Sequence, residues 1–490
     1  MWRFLTNLSS KAATRGDPHG AGLEGGDGVA ANAARLTAAQ LLSAVLGLVT
    51  SALAARWLGP AAFGTAAVVM AYPSVVGAFL AAKTTPITLR YAAGFLARGR
   101  TNEVLAVCKL GYGIDFALAS VASGIVATLA LVSGSLPGAS KHAGLVAAFA
   151  LARPFISFRN TSLTVLSLLR RFHVASALYI SDRLLVLLCV LGALAFHARV
   201  AEFVIASAVG QLLGGLAWLV SSSVILRRAV GAWWGARWSV LRDFRRELRS
   251  MVSWNFLGAT FGGALTQGSV ILVGALHSAV EAGYFRLASN LATTADYAEV
   301  ALNRVVSAPL AEAHALGDRA TFRRLIARWT TREGPLAAVL VVAGMAALPV
   351  VVPLVFGSAY TPMVLGAEVM LLGTAVSTAL FFVTPALYAQ GRVRTWVLAN
   401  GAYAILTLGI GATAASSLGF LAFALPTGLG MVAMNIFLAA LVTRGMSKDA
   451  RHVTPVKPAG PVGSDNRSPG GGPRQAAGQT GRLGGGSPGA

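Results

Sequence analysis

The stretch RRAVGAWWGARWSVLRDFRRELRS, residues 227–250, divides a chain of 490 residues into two apolar halves. Apolar runs of about 20 residues, the length that an α-helix needs to cross a bilayer, occur six times on each side of it. With 55% hydrophobic and 12% charged residues, the chain is too apolar for an ordinary soluble domain, in which about a quarter of the residues are charged. We therefore predict an all-α polytopic membrane protein with about 12 transmembrane helices. The predicted spans are 36–55, 65–82, 104–132, 143–169, 174–195, 203–226, 251–276, 285–309, 335–356, 365–390, 395–415 and 417–442.

Lys and Arg lie mainly in the N-terminal segment, in every second loop and after the last span. The opposite loops hold only Arg56, Lys141 and Arg199. Because cytoplasmic loops are the ones enriched in Lys and Arg, we predict that both termini are cytoplasmic. This topology, together with attraction to anionic lipids, accounts for most of the net charge of +22. No nucleic-acid-binding motif accompanies the charge, so no nucleic acid partner is expected.

The sequence predicts five regions. Both ends have compositions that cannot form a packed core. Within 227–250, apolar residues recur at helical spacing and the arginines mostly occupy other faces, which indicates a helix in the cytoplasmic interface; a simple tether between two lobes is equally compatible with this pattern. The regions are a disordered cytoplasmic N-terminus (1–34), an N-lobe of six helices (35–226), a basic amphipathic linker (227–250), a C-lobe of six helices (251–445) and a disordered Gly/Pro/Ser-rich tail (446–490).

The two halves share a weak internal repeat. The segment RWLGPAAFG ends at Gly64, and ALHSAVEAGYF in the second half places Gly283 in the matching position. Further along, Gly99 and Gly317 match in the same way, with nearly the same offset. Matching helices run in the same direction because six crossings separate them. The sequence therefore predicts two six-helix lobes related by a pseudo-two-fold axis along the membrane normal, with the substrate between them.

Ionisable residues inside the predicted spans are the candidates for a functional site, because a charge at the bilayer centre costs about 2.5 to 3.5 kcal/mol unless it faces a cavity or a partner. Arg159 and Asp182 lie at similar depth on the hairpin of helices 4 and 5, which predicts an ion pair that can be purely structural. Asp296 and Glu299 share one helix face; they either line an aqueous cavity or neutralise nearby arginines. The candidate substrate-binding residues are Arg153, Arg159, Arg183, Arg286 and Arg304, and the candidate coupling or proton-binding residues are Asp115, Asp182, Asp296 and Glu299.

The buried cations favour an anionic substrate. Arg binds phosphate oxygens bidentately and stays charged when partly desolvated, so a pyrophosphate or an acidic sugar suits these residues better than a cationic drug. The sequence contains no Walker motif, no His/Glu metal cluster and no nucleophile elbow. We therefore predict no catalytic residue, no metal site and no cofactor, and expect that the protein is not an enzyme.

Several segments resemble the polysaccharide flippases, the Wzx-type, O-antigen branch of the multidrug/oligosaccharidyl-lipid/polysaccharide exporter superfamily. The resemblance covers about residues 30–445, and the order and spacing of the segments make it specific. The segments are RWLGPAAFG (56–64), AVEAGYFRLASNL (279–291), APLAEAHALGDRATFRRL (308–325), VFGSAYTP (355–362) and ALYAQGRVR (386–394).

This resemblance implies a MATE-like fold with two lobes around a cationic cavity that opens alternately to either side. It further implies a glycan linked to undecaprenyl pyrophosphate as the cargo and the bacterial cytoplasmic (inner) membrane as the location. Anionic lipids and polysaccharide polymerase or assembly proteins are further candidate partners. Two alternatives stay open: a multidrug or small-molecule antiporter of the same superfamily, and a membrane glycan polymerase or transferase. The short predicted external loops count against the second, since such enzymes generally carry a sizeable external loop or domain.

Overall fold

The computed structural model describes residues 26–80, 85–133, 136–196, 199–236 and 265–448. Within these ranges the regular structure is helical, and short 3₁₀ or π turns join some of the helices. The helices are α1 (Gly26–Leu80), α2 (Thr85–Ala97), α3 (Thr101–Ser133), α4 (Ala143–Leu168), α5 (Phe172–Phe196), α6 (Val200–Ala229), α7 (Leu265–Leu276), α8 (Ala279–Ala315), α9 (Arg319–Arg328), α10 (Gly334–Val355), α11 (Val364–Ala379), α12 (Val383–Ala389), α13 (Val393–Leu418) and α14 (Leu421–Lys448).

Most helices match the predicted spans closely, and eight helical segments of the described ranges are long and apolar enough to cross a membrane. Helices α4 and α8 are long enough but are not among those eight. They carry four of the five candidate arginines. The two helices that hold most of the candidate site are thus more polar than the spans around them.

The expected loop between the first two spans is absent. Residues 56–64 are helical apart from Gly59, whose φ of 76° and ψ of 169° interrupt α1. Pro60 then opens the next helical segment, where a missing N–H costs nothing. A straight helix of 55 residues would be about 80 Å long, more than twice the hydrocarbon thickness of about 30 Å. Helix α1 therefore supplies two membrane crossings that meet at a one-residue break.

Two other predicted features differ from the structure or fall outside it. The predicted span 365–390 is divided into α11 and α12 by a turn at residues 380–382. Helix α1 begins at Gly26, inside the segment predicted to be disordered. Residues 1–25, most of the predicted linker, the start of the seventh span and nearly all of the predicted tail lie outside the described residues.

The helices pack as two sets that share a core on one side only. We call the side on which α1 begins and α14 ends the terminal side, and the other the far side. On the far side, one hydrophobic cluster contains residues from both sets, including Ala55, Val68, Phe203, Phe285 and Tyr360. On the terminal side the described clusters are separate: one lies around Phe95, Tyr112 and Leu226 in the first half, another around Leu310, Trp329 and Phe382 in the second.

The repeat glycines Gly64 and Gly283 meet where the two sets of helices join. A Cβ on Gly64 would collide with the carbonyl group of Ala279 and lie 2.9 Å from the Gly283 nitrogen, and one on Gly283 would lie 3.3 Å from the Gly64 Cα. Two residues that a two-fold axis exchanges contact each other only if they lie at that axis. The contact therefore agrees with the predicted pseudo-two-fold arrangement if the axis passes close to these two glycines.

Further far-side hydrogen bonds connect the two sets. Arg56 donates to the carbonyl of Leu354 (3.2 Å), and the Tyr360 hydroxyl donates to the carbonyl of Ala55 (3.0 Å). Deeper in the membrane, the Asn290 amide donates to Ser51 (3.3 Å). Helix α1 thus forms much of the described seam between the halves.

Candidate functional site

Two adjoining cavities lie among α3, α4, α5 and α6, with volumes of about 200 and 180 Å³. Arg153, Ile156 and Arg159 line both cavities, because they occupy successive turns of one face of α4. Asp115 borders the first cavity, while Asp182 and Arg183 border the second. The structure therefore brings three of the five candidate arginines to one place, together with two of the candidate acids. We call these three arginines, Arg153, Arg159 and Arg183, together with Arg286 of α8, the arginine cluster.

The predicted ion pair is present. Arg159 Nη1 lies 3.2 Å from Asp182 Oδ2. The Arg159 guanidinium also lies over two aromatic rings, 4.5 Å from the centroid of Tyr179 and 5.8 Å from that of Trp218. Both rings attract the cation through their negative π faces. Arg159 is thus held by a carboxylate and an aromatic pair.

Two consecutive glycines in α6 make this arrangement possible. A Cβ at Gly214 would collide with the Asp182 carboxylate, and one at Gly215 would collide with the backbone carbonyl of Phe155. Close approach of three helices is common at small residues in membrane proteins. Gly214 therefore leaves the room in which the buried carboxylate of Asp182 reaches Arg159.

Arg153 and Arg183 form no ion pair within the described ranges. Arg153 lies beside Gly77 of α1, where an added Cβ would be 3.4 Å from its Nη2. The Nε of Arg183 is buried and has no hydrogen-bond partner among the described residues. Both guanidinium groups therefore keep donors available for a ligand.

Arg286 joins the cluster from the second half of the chain. Its Nη1 donates to Gln267 Oε1 of α7 (2.9 Å), and its charge lies close enough to Arg183 for the two to repel each other. Arg183 is repelled in the same way by Arg159 and is attracted by Asp182. Repulsion among buried cations disfavours the empty site and favours an anion that neutralises it.

Arg304 lies apart from the cluster. It is exposed, and its Nη1 donates to the Thr37 hydroxyl at 3.2 Å. Helix α8 continues to Ala315, so Arg304 lies far along α8 from Arg286, towards the terminal side. The expectation that Arg304 shares a cavity with the other candidates finds no support in its contacts.

The four candidate acids divide into two groups. Asp115 is buried and accepts a hydrogen bond from Thr161 (2.7 Å), and Asp182 is ion-paired, so both belong to the first half. Asp296 lines a cavity of about 180 Å³ in the second half, and its Oδ1 is buried without a hydrogen-bond partner in the described ranges. Glu299 accepts from Ser377 (2.5 Å) and Asn303 (3.4 Å). The other polar residues that line this cavity are Thr266, Ser289, Thr293, Thr374, Asn400, Tyr403 and Thr427.

Several of these neighbours are not evident from the sequence. Tyr179 lies one turn before Asp182, and Trp218 follows the Gly214–Gly215 pair, but aromatic residues at such spacing are ordinary core residues. Gln267, which accepts from Arg286, and Gln211, which lines the second cavity, carry no charge and match no motif. Their roles depend on which helices become neighbours, and one sequence does not contain that information.

Comparison with known structures defines the class of protein. The chain is similar to an inward-facing multidrug resistance MATE family transporter of the MOP superfamily (TM-score 0.64, 11% identity, 85% of this chain and 95% of the other). It is also similar to the eukaryotic MATE transporter AtDTX14 (0.63, 14%, 87% and 98%) and to the lipid II flippase MurJ in an inward closed conformation (0.63, 14%, 83% and 87%). The protein is therefore a multi-pass membrane protein with the MATE-like fold, and the predicted fold class is confirmed.

The family is given by sequence. Residues 29–309 match the model of the family described as "Polysaccharide biosynthesis protein". Because the match spans more than half of the chain, the protein belongs to this family. The resemblance drawn from the sequence segments is thereby confirmed at the level of the family. No curated protein matches the chain significantly.

Proposed function

We propose that this protein is a flippase that moves an oligosaccharide linked to undecaprenyl pyrophosphate across the bacterial cytoplasmic membrane by alternating access, for cell-surface polysaccharide synthesis. The observation that carries the proposal is the arginine cluster, to which α4, α5 and α8 contribute. Membership of a polysaccharide biosynthesis family supports a glycan cargo. The cluster adds the chemistry that a diphosphate headgroup needs.

The charges of the cluster suit a diphosphate. Arg153, Arg183 and Arg286 form no ion pair among the described residues, while the carboxylates of Asp115 and Asp182 line the cavities that Arg153 and Arg183 border. The four arginines of the cluster therefore outnumber these two carboxylates. A hydrogen bond to a charged group contributes about 1.5 to 3 kcal/mol, and Arg presents several donors to each phosphate. In this proposal the headgroup binds between the halves while the polyprenyl tail stays in the bilayer.

The packing of the two halves supports alternating access. The shared core and the Gly64–Gly283 contact join them on the far side, whereas on the terminal side the described cores are separate and the Arg304–Thr37 hydrogen bond joins α8 to the start of α1. With the terminal side cytoplasmic, as the distribution of Lys and Arg predicts, the cluster would be reached from the leaflet in which lipid-linked glycans are made. Anionic lipids would contact the basic loops there, and a polymerase or assembly protein would receive the product on the other side.

The acids of the second half are the proposed coupling site. Asp296 has a buried oxygen without a partner in the described ranges, and Glu299 lies one turn further along α8. A proton or another cation binding there would couple the cycle to a gradient. The same observation favours the second candidate function, a small-molecule antiporter of the same fold that binds cationic substrates.

Translocation in reconstituted vesicles tests the proposal. We expect fluorescent undecaprenyl-pyrophosphate oligosaccharide to cross with the wild-type protein, and the rate to fall by at least tenfold in the double variant Arg153→Ala/Arg286→Ala. Arg199→Ala, which removes an exposed arginine from the start of α6, is the matched control and should behave as wild type. Transport of a cationic drug with no movement of the lipid-linked glycan would refute the proposal in favour of the antiporter.

A further inference from the structure

The arginine cluster contains its own competing anion. The second cavity is lined by Arg153, Arg159 and Arg183 but by a single carboxylate, that of Asp182. Asp182 pairs with Arg159 although Arg183 is its neighbour in the chain. One carboxylate among several unpaired guanidinium groups occupies donors that an anionic ligand would otherwise use.

The pair is held loosely enough to exchange. Its N–O distance is 3.2 Å. Most charge-assisted hydrogen bonds between a nitrogen cation and an oxygen anion are shorter, at roughly 2.7 to 2.9 Å. Nη1 of Arg159 donates the hydrogen bond to Asp182, so the pair is not bidentate. A carboxylate and a phosphate are bound by the same guanidinium donors. A phosphate can therefore replace the carboxylate without a new type of contact.

Arg159 need not move far to make this exchange. The rings of Tyr179 and Trp218 hold its guanidinium plane, and it borders both cavities of the first half. Asp182 is confined by α6, where Gly214 leaves space for its carboxylate. The aromatic pair thus fixes the cation independently of its anionic partner.

From these contacts we propose that Asp182 is a built-in counter-anion, a positioning residue that occupies Arg159 in the empty site and competes with the phosphate of the cargo, weakening binding so that the cargo is released. This inference rests on the proposed function, because it needs an anionic headgroup as the ligand. In a transport cycle, tight binding is a disadvantage at the release step, and a competing carboxylate lowers the affinity without removing a single phosphate contact.

Asp182→Asn is the direct test, since it removes the charge and keeps the shape. We expect the purified full-length variant to bind farnesyl diphosphate at least tenfold more tightly than wild type, and to move the lipid-linked glycan more slowly in vesicles at saturating substrate. Glu202→Gln, which neutralises a half-buried carboxylate at the start of α6 outside the cluster, should leave the affinity unchanged. Farnesol is the control ligand without phosphate.

The outcomes separate the two ideas. If wild type binds no farnesyl diphosphate above the level of farnesol, the proposed function fails. If wild type binds it but folded Asp182→Asn binds equally or more weakly, the counter-anion is refuted and the flippase stands. Asp182→Ser provides a second neutral variant; if neither variant folds, the ion pair is structural and the inference is wrong.

Discussion

At the scale of single residues, Arg153 and Arg159 have different surroundings despite lying on one face of α4. Arg159 compensates a buried carboxylate, whereas Arg153 forms no ion pair in the described ranges. A substitution at Arg159 therefore leaves Asp182 with an uncompensated buried charge, and one at Arg153 does not. We therefore expect a substitution at Arg159 to affect mainly stability, and one at Arg153 to affect mainly ligand binding.

We expect Arg159→Ala to destabilise the protein by about 3 kcal/mol, the cost of breaking a buried pair by removing one partner. Arg153→Ala should change stability by less than about 1 kcal/mol while weakening binding of the diphosphate. Thermal unfolding of the detergent-purified variants measures the first effect. The double variant Arg159→Ala/Asp182→Asn should recover part of the loss. Equal unfolding temperatures for Arg159→Ala and Arg153→Ala would contradict this assignment.

At the scale of elements, the break in α1 depends on one glycine. Gly59 has a positive φ, and an added Cβ would touch nothing within 4 Å, so any cost of a side chain there is conformational. Gly47, in the same helix, has the same open surroundings but a helical backbone. The two positions form a matched pair.

Gly59→Ala should lower stability by about 1 to 3 kcal/mol, because its φ of 76° and ψ of 169° lie in a region that is essentially restricted to glycine. Gly47→Ala should instead be neutral or stabilising by up to about 1 kcal/mol, since Ala favours the helix. Chemical unfolding in detergent measures both changes. Equal effects at the two positions would show that the break does not depend on the backbone of Gly59.

The cap of α9 gives a prediction on pH. Asp318 accepts hydrogen bonds from the Thr321 amide (2.9 Å) and hydroxyl (2.6 Å), which hold the pKa of the Asp318 carboxyl below its usual value. A lowered folded-state pKa means that the cap is fully formed above the ordinary carboxyl pKa of about 3.9 and is lost as the pH falls through the folded value. Amide exchange at Thr321 should accelerate only on strong acidification. Asp318→Asn, a good N-cap without a charge, should abolish that pH dependence, and unchanged behaviour in this variant would exclude the carboxylate as the cause.

At the scale of the whole molecule, the Gly64–Gly283 contact closes the far side. We expect Gly283→Leu to hold the halves apart there, because the new side chain would meet the backbone of Pro60 and Gly64. Disulfide formation between cysteines placed at Ser51 and Asn290 should become slower, and glycan transport should fall by at least tenfold. Gly192→Leu, at a position with open space around it, is the control. Unimpaired cross-linking in Gly283→Leu would show that the contact does not close the halves.

Hydropathy predicts the spans well because a segment that crosses lipid must satisfy its backbone polar groups internally, as a helix does, and carry mainly apolar side chains. Hydropathy also predicts a loop at residues 56–64. The structure breaks the helix only at Gly59, because one glycine with a positive φ is enough to end one crossing before Pro60 begins the next. The Arg159–Asp182 pair was predictable from a short hairpin that fixes relative depth. The approach of Arg183 to Arg286 and the separate position of Arg304 depend on packing between distant helices, which no local pattern records.

The arginine cluster is the proposed binding site of a diphosphate headgroup. A cryo-EM structure of the protein with bound undecaprenyl diphosphate tests this proposal most directly. We predict phosphate density within hydrogen-bond distance of Arg153, Arg183 and Arg286, with the phosphate in place of Asp182 on Arg159. Density for the headgroup elsewhere, with the cluster unchanged and Asp182 still paired with Arg159, would contradict it.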